Sequence, residues 1–475
     1  MKQQALNPYL PLYEYIPDGE PRVFNNRLYV YGSHDLADGS RGFCPGDYVV
    51  WSAPLTDLGS WTFHGVSFPR LACPNFTDDD ALFAPDVIQG PDKRYYLYFN
   101  TKKQKECYVA VSEKPEGPFD LLGPVRNTDG SAYTEVKMFD PGVLVDEDGS
   151  VFLYVGFSLP GPIPERFRGG PSPFVKYSLG FRLDADMQTI LEGPVQLIPN
   201  AETARGTEFE GHGFFEASSP RKVNGRYLLV YSSEQSHELV YASADSPLGA
   251  FHFEGILNSN SDLGLREEPV MPLGNNHGGL VQIEGQWYIF YHRHTHGTGC
   301  SRQGCAEKLP TRKDGLFAQA EVTSCGLNGV PLFAEGSYNA AYCCYINPIA
   351  KKQSPFGEGR DPNDKSPFIA EAQNNRCEKD FRHFIHCPEG KLTAGYKYFA
   401  FHSPSAIELM VHGTSEMNVQ VKIDTPDGLL IGSANTLSAD NRILVSLQPV
   451  EDVHALYITI ESNQSFDFEQ FSFLA

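Results

Sequence analysis

The 475-residue chain reads as an all-β protein: a five-bladed β-propeller followed by a β-sandwich of the jelly-roll type. Three observations predict this. One hairpin pattern occurs five times between residues 20 and 291. Each copy is followed by further strand-like runs. Long helical periodicity is absent throughout, and the abundance of Gly (44) and Pro (35) favours turns between short strands.

The first copy is Glu20-Pro21-Arg22-Val23-Phe24, a turn at Asn25-Asn26, then Arg27 to Ser33. The second runs from Ala84-Pro85-Asp86-Val87-Ile88 through a turn at Pro91-Asp92-Lys93 to Tyr95-Tyr96-Leu97-Tyr98-Phe99. The third joins Asp140-Pro141-Gly142-Val143-Leu144-Val145 to Val151-Phe152-Leu153-Tyr154-Val155 through Asp148-Gly149. The fourth joins Glu216–Val223 to Tyr227–Tyr231 through Asn224-Gly225, and the fifth joins His277–Gln282 to Trp287–Tyr291 through Glu284-Gly285. Asn-Gly and Asp-Gly supply the positive φ that two-residue hairpin turns require. Third and fourth strands are expected in runs such as Tyr48–Ser52 with Trp61–His64, Cys107–Ser112, and Leu239–Ser243 with Phe251–Phe253. Four strands per unit and five units make a propeller.

In a propeller the first strand of each blade lines the axis. Glu20, Asp86, Asp140, Glu216 and His277 then converge on one mouth. Like charges confined together raise each other's pKa, so such a cluster points to acid–base chemistry or a bound cation.

The net charge of −21 opposes binding to phosphate backbones or anionic membranes, so nucleic acid is not an expected partner. No apolar run approaches the ~18 residues of a membrane span, which predicts no membrane partner. The start of the chain, Met1 to Pro8, has no apolar core of a signal peptide, which predicts a cytoplasmic protein. The ten cysteines form no CxxC pair and read as reduced, buried thiols. The segment His292-Arg293-His294-Thr295-His296 lacks a third ligand at recognisable spacing and reads as a loop after the fifth hairpin rather than a zinc site.

These hairpin starts resemble glycoside hydrolase family 43 over roughly residues 7–335. The resemblance rests on the acid-Pro element with Arg22-Val23-Phe24 and Tyr31-Gly32-Ser33, on Phe83-Ala84-Pro85-Asp86, Phe139-Asp140-Pro141 and Phe215-Glu216-Ala217-Ser218-Ser219, and on Asn276-His277-Gly278. It implies inverting, exo-acting enzymes on a five-bladed propeller, with Glu216 as general acid, Asp140 as the residue that raises the acid's pKa, and Glu20 as general base. Most members carry Asp-Pro where this chain has Glu20-Pro21; Asp18, two residues earlier, is the alternative base. A Glu20–Glu216 carboxyl separation of ~6.5–9.5 Å is then expected, with room for the attacking water.

The same resemblance implies that His277 lies on the axis, where it holds a hydrated cation in some relatives, and that Arg302 binds substrate. A structural calcium is compatible with this, and no cofactor is required. Asp86 is expected to accept hydroxyl hydrogen bonds in the sugar pocket. Phe83, Phe215 and Trp51 are candidates for an apolar wall against a sugar face.

Residues 1–349 are assigned to the propeller. Residues 350–368, polar and rich in Pro and Gly, are assigned to a linker, and 369–475 to the sandwich. Period-2 runs at Tyr396–Phe401, Ala406–Val411, Val419–Ile423 and Ala455–Ile460 support the last assignment. This module is similar to carbohydrate-binding modules of family 6, and packing against the propeller is its expected role. The resemblance implies release of a terminal α-L-arabinofuranose or β-D-xylose from an oligosaccharide. A β-D-galactofuranosidase and a non-catalytic sugar-binding propeller are the alternatives.

Overall fold

In the computed structural model, residues 4–159, 174–349, 360–361, 363–373, 381–413, 415–437 and 441–475 are described. Five antiparallel sheets succeed one another along the first two-thirds of the chain. The first holds β1 (Glu20–Phe24), β2 (Arg27–Tyr31), β3 (Tyr48–Pro54) and β4 (Thr62–Phe68); the second, β5 (Asp86–Gln89), β6 (Tyr95–Asn100), β7 (Cys107–Ser112) and β8 (Asp120–Pro124). The third holds β9 (Gly142–Val145), β10 (Val151–Val155), β11 (Tyr177–Leu183) and β12 (Ile190–Pro199); the fourth, β13 (Phe214–Val223), β14 (Arg226–Ser233), β15 (Glu238–Ala244) and β16 (His252–Ser259). The fifth has three strands, β17 (Leu280–Ile283), β18 (Gln286–His294) and β19 (Arg302–Lys308), where four were expected. The N-terminal segment completes it: Tyr9 N–H donates to the Gly304 carbonyl at 3.2 Å, and the Asn7 side chain donates to Ala306 O and Glu307 Oε1.

The expected hairpins form with the expected turn chemistry. Asn25 and Asn26 have φ of 50° and 59°, Asn224 and Gly225 51° and 80°, and Glu284 and Gly285 49° and 84°. Apolar side chains from facing blades interdigitate. Phe68, Leu97 and Phe99 fill the space between blades one and two, and Val30, Phe290 and Ala306 that between five and one. A bridge between Gly19 and Gly278 closes the ring, and Arg221 Nε donates to Leu280 O at 2.7 Å between β13 and β17. Sheets closed radially in this way leave only short edges.

The sandwich begins earlier than the sequence suggests. β20 (Leu332–Phe333), β21 (Gly336–Asn339) and β22 (Tyr345–Asn347) precede β23 (Phe368–Gln373), β24 (Phe381–Cys387), β25 (Lys391–His402), β26 (Ala406–His412), β27 (Glu416–Ile423), β28 (Leu430–Leu437), β29 (Arg442–Ser446), β30 (Glu451–Ser462) and β31 (Phe466–Leu474). One sheet has the order β20-β25-β30-β27-β28, the other β23-β24-β31-β26-β29. β20 and β22 pair with β25, and β21 pairs with β31, so residues 332–347 belong to the sandwich and not, as assigned, to the propeller. Of the assigned linker, 350–359 and 362 lie outside the described residues.

The two domains share a core, in which Val270 and Met271 pack with Ile346, Ile385 and Tyr396. Lys397 of β25, 1% exposed, reaches Asp262 at 3.2 Å and Glu321 at 2.9 Å. Nine cysteines are buried and free; Cys377 lies outside the described residues. Among the described residues no helix is long and apolar enough to cross a membrane.

Candidate active site

The hairpin register explains which carboxylates face the axial cavity. Tyr31, Tyr98 and Tyr154 pair with Glu20, Asp86 and Gly142 respectively, which places these three at one level. Two residues earlier in each blade stand Asp18, Ala84 and Asp140, and all three line a cavity of about 550 Å³. Asp18 and Asp140 both have positive φ, 58° and 45°, a conformation that Asp tolerates better than most residues. Glu216 reaches the same cavity from β13, where the register shifts on either side of it and Ala217 has a φ of 69°. Strained backbone of this kind persists where surrounding structure enforces it, often at functional sites.

Glu20 and Asp86, expected at the mouth, sit one level below it and do not line the cavity. Glu20, 2% exposed, accepts from Arg221 Nη2 at 2.7 Å and from Ser219 Oγ at 3.1 Å. Gly279 permits this approach, since a Cβ there would lie 2.5 Å from Glu20 Oε2. Asp86 is wholly buried in a bidentate pair with Arg22, at 2.6 and 3.1 Å, and caps the Val143 N–H. Both acids act as internal counter-ions. The misplacement is a slip of two residues in both blades: in blade one the acid-Pro pair Glu20-Pro21 lies two residues beyond the level of Asp140-Pro141, and in blade two that level is held by Ala84 before Pro85, with the acid, Asp86, two residues further on. Measured from the paired tyrosine, Asp18 lies thirteen residues before Tyr31 and Asp140 fourteen before Tyr154.

Asp18 accepts a hydrogen bond from Arg302 Nη1 at 2.9 Å and one from the Ser33 hydroxyl. Arg302 also forms a fork to Asp35, at 2.8 and 3.0 Å, and its guanidinium lies 4.9 Å from the Phe43 ring centre. Arg302 lines the cavity as expected, but its donors are turned to these two carboxylates. The backbone N–H of Asp18 donates to His292 Nδ1 at 3.3 Å, and His292 Nε2 donates to Asn275 O at 2.7 Å. His294 Nε2 donates to the same carbonyl at 3.0 Å. Burial pushes both imidazoles down, His294 to about 4. His292 and His294 are therefore neutral struts inside β18, not loop residues, and they fix Asn275 at the cavity wall.

Asp140 and His277 form a second unit. His277 Nδ1 lies 3.5 Å from Asp140 Oδ2. Burial opposes charge on the imidazole, but the Asp140 carboxylate outweighs it and holds His277 up at about 9. Burial raises Asp140, and His277 partly offsets this. Glu216 is raised well above the ordinary carboxylate range, first by burial and then by the Asp140 charge. Glu216 is thus biased towards its protonated form, in the same cavity as Asp18, to which Arg302 and Ser33 donate.

Phe83 and Phe215 line the cavity, as expected of an apolar wall. Phe139 and Phe157, which the sequence reading did not single out, join them into one surface, with successive ring centres 5.1, 4.6 and 5.9 Å apart. Trp51 instead packs in the core between blades five and one and donates to Glu14. Lys102 and Lys137 also line the cavity; nothing in their sequence context marks them.

No three His, Cys, Asp or Glu side chains among the described residues form a metal-binding group. Around His277, Nε2 faces Glu20 Oε1 at 3.9 Å, and that oxygen has no hydrogen-bond partner. A hydrated cation at this place would take most of its six to eight oxygens from water, with His277 and Glu20 Oε1 as the nearest groups of the chain.

Several carboxyl groups gathered on one sugar-sized pocket, with burial and a neighbouring charge pushing one of them towards its protonated form, match the chemistry of a class of protein, the glycoside hydrolases. The family model "Glycosyl hydrolases family 43" matches residues 25–317, and the chain belongs to that family. It is 38% identical over 486 residues to a xylosidase/arabinosidase of Thermoclostridium stercorarium, covering 99% of both chains. It is 32% identical over 309 residues to a xylosidase/arabinosidase of Bacteroides ovatus, covering 60% of this chain and 87% of that one. Among solved structures, a family 43 β-xylosidase/α-arabinofuranosidase from a compost microbial metagenome, in complex with xylotriose, is 26% identical with a TM-score of 0.53, over 67% of this chain and 96% of that one. A Bacillus subtilis arabinoxylan arabinofuranohydrolase shares the fold over 99% of both chains, with a TM-score of 0.53 at 20% identity.

Proposed function

We propose that the protein is an exo-acting, inverting glycosidase that releases a terminal β-D-xylose or α-L-arabinofuranose from oligosaccharides. Asp18, Asp140 and Glu216 opening onto one cavity is the observation that carries this reading. Glycoside cleavage passes through an oxocarbenium-like transition state and needs one protonated and one ionised carboxyl on opposite sides of the sugar. Glu216 supplies the proton to the leaving oxygen. Asp18, held by Arg302 and Ser33, takes a proton from the water that attacks C1. Asp140 keeps the Glu216 proton in place by its charge. The phenylalanine wall packs against the apolar face of the sugar and excludes water from the reacting bond.

The assignment of the base departs from the first reading of the sequence. Glu20 is separated from the cavity and committed to Arg221, whereas Asp18 opens onto it. The curated relatives of 38% and 32% identity, both named xylosidase/arabinosidase, support the choice of pentoses over galactofuranose.

Turnover of aryl β-D-xyloside and aryl α-L-arabinofuranoside by the wild type and Glu216→Gln tests the reading. The expected result is hydrolysis of at least one by the wild type, with Glu216→Gln lowered by ~10² or more on poor leaving groups and far less on activated ones. Equal loss on both would remove Glu216 as proton donor. Tight sugar binding without turnover on any glycoside would favour a binding propeller.

A further inference from the structure

The cationic side chains of the cavity fall into two kinds. Arg302 and His277 each face carboxylates, at 2.8–2.9 Å and 3.5 Å. Lys102 and Lys137 do not: among the described residues neither forms an ion pair, in a chain whose acids outnumber its lysines and arginines 59 to 38. Lys137 is half-buried. Its Nζ lies 5.6 and 5.4 Å from the ring centres of Phe83 and Phe139 and donates to the Lys102 carbonyl at 2.7 Å. An ammonium has three N–H donors, so two remain for a ligand. Burial lowers Lys137 to about 8 against the pull of the Asp140 and Asp80 charges, which leaves it charged at neutral pH with no carboxylate at ion-pair distance among the described residues. A partly desolvated cation whose carboxylates stand beyond ion-pair distance is costly, and an anionic ligand group in direct contact reduces that cost. Both lysines share the wall that carries Phe83 and Phe139. Lys137 lies over the Phe83 and Phe139 rings, and Lys102 is an exposed lining residue of the same cavity.

We propose that Lys137 and Lys102 form a subsite for a carboxylate on the sugar next to the scissile bond, so that the preferred substrate is an acidic oligosaccharide whose terminal pentose neighbours a uronate. The proposal rests on the glycosidase reading and specifies its substrate class. A charge-assisted hydrogen bond in a partly desolvated site corresponds to a preference of about tenfold or more. Lys137 touches the substrate's recognition group and not the reacting atoms.

The test compares kcat/KM for two disaccharides with the same terminal β-D-xylose, one linked to glucuronic acid and the other to glucose. The wild type should favour the acidic one by about tenfold, and about 0.5 M salt should shrink the ratio. Lys137→Met should bring the ratio close to one, Lys137→Arg should restore most of it, and Lys102→Met should reduce it partly. Calorimetric binding of the same two oligosaccharides to Glu216→Gln should show the same ratio without turnover. Equal kcat/KM and equal binding for the two would overturn the proposal, as would a ratio that Lys137→Met leaves untouched. An enzyme that cleaves aryl xylosides but ignores the uronate defeats this inference alone. Selective uronate binding without any glycoside turnover defeats the glycosidase reading and leaves the subsite standing.

Discussion

Replacing Asp18 and Glu20 by their amides separates a reacting carboxylate from a structural one. Asp18→Asn removes the group that accepts the water's proton. Loss of general-base help costs ~10²–10⁴ in kcat, or about 3–5 kcal/mol of barrier. Its effect on stability should be small, about 1 kcal/mol, because Arg302 keeps its two bonds to Asp35 at 2.8 and 3.0 Å. Glu20→Gln has the opposite signature. Arg221 is 8% exposed and forms its ion pair with Glu20, at 2.7 Å; its remaining partners are the carbonyls of Leu280, Pro220 and Pro21. Breaking a buried pair so that one charge stays behind costs about 3–5 kcal/mol of folding stability. The kcat of the folded fraction should fall by less than about tenfold, since a general base's contribution is not being removed. Initial rates on an aryl β-D-xyloside, paired with urea denaturation of each variant, read both quantities. A Glu20→Gln enzyme as stable as the wild type but slowed 10²-fold or more, beside an active Asp18→Asn, would refute the register argument and return the base to Glu20.

Further outcomes follow from the same geometry. Asp140→Asn removes the charge that helps Glu216 keep its proton, so Glu216 deprotonates more easily and the alkaline limb of the kcat–pH profile moves to lower pH; an unmoved limb would dissociate the two residues. Burial raises Glu307 to about 8 from 4.5, so the folded state holds this proton more tightly than the unfolded chain does. That contribution is complete below pH 4.5 and fades as pH rises towards 8. Glu307→Gln should flatten the pH dependence of stability in that window, measured by denaturation at successive pH values. Lys397→Met leaves Asp262, which is wholly buried, without its ammonium partner and should cost about 3–5 kcal/mol in stability, read from urea melts.

The propeller was legible because each hairpin announces itself locally. Asn224-Gly225 and Glu284-Gly285 sit between alternating apolar runs, and turn and strand signals agree within ten residues. Glu216, Asp140 and His277 were legible for the same reason, as residues at the start of repeated units. Asp18 was second choice because proline is a poor ruler: Pro21 lies inside β1, whereas Pro141 lies before β9, and the tyrosines that set the level are on the partner strands. The roles of Glu20 and Asp86 were hidden by sequence distance. Arg221 lies 201 residues from Glu20, and Arg22 lies 64 from Asp86. The same holds for the domain boundary, since Leu332 and Tyr345 acquire their strand partners only when β25 folds back beside them.

Following the anomeric proton of the first-formed sugar by NMR during hydrolysis of an aryl β-D-xyloside tests most directly whether Asp18 and Glu216 work from opposite faces. Inversion places α-xylose first, with β-xylose appearing only by later mutarotation. β-Xylose appearing first would mean a carboxylate that attacks the sugar itself, and it would contradict the water-activating role of Asp18.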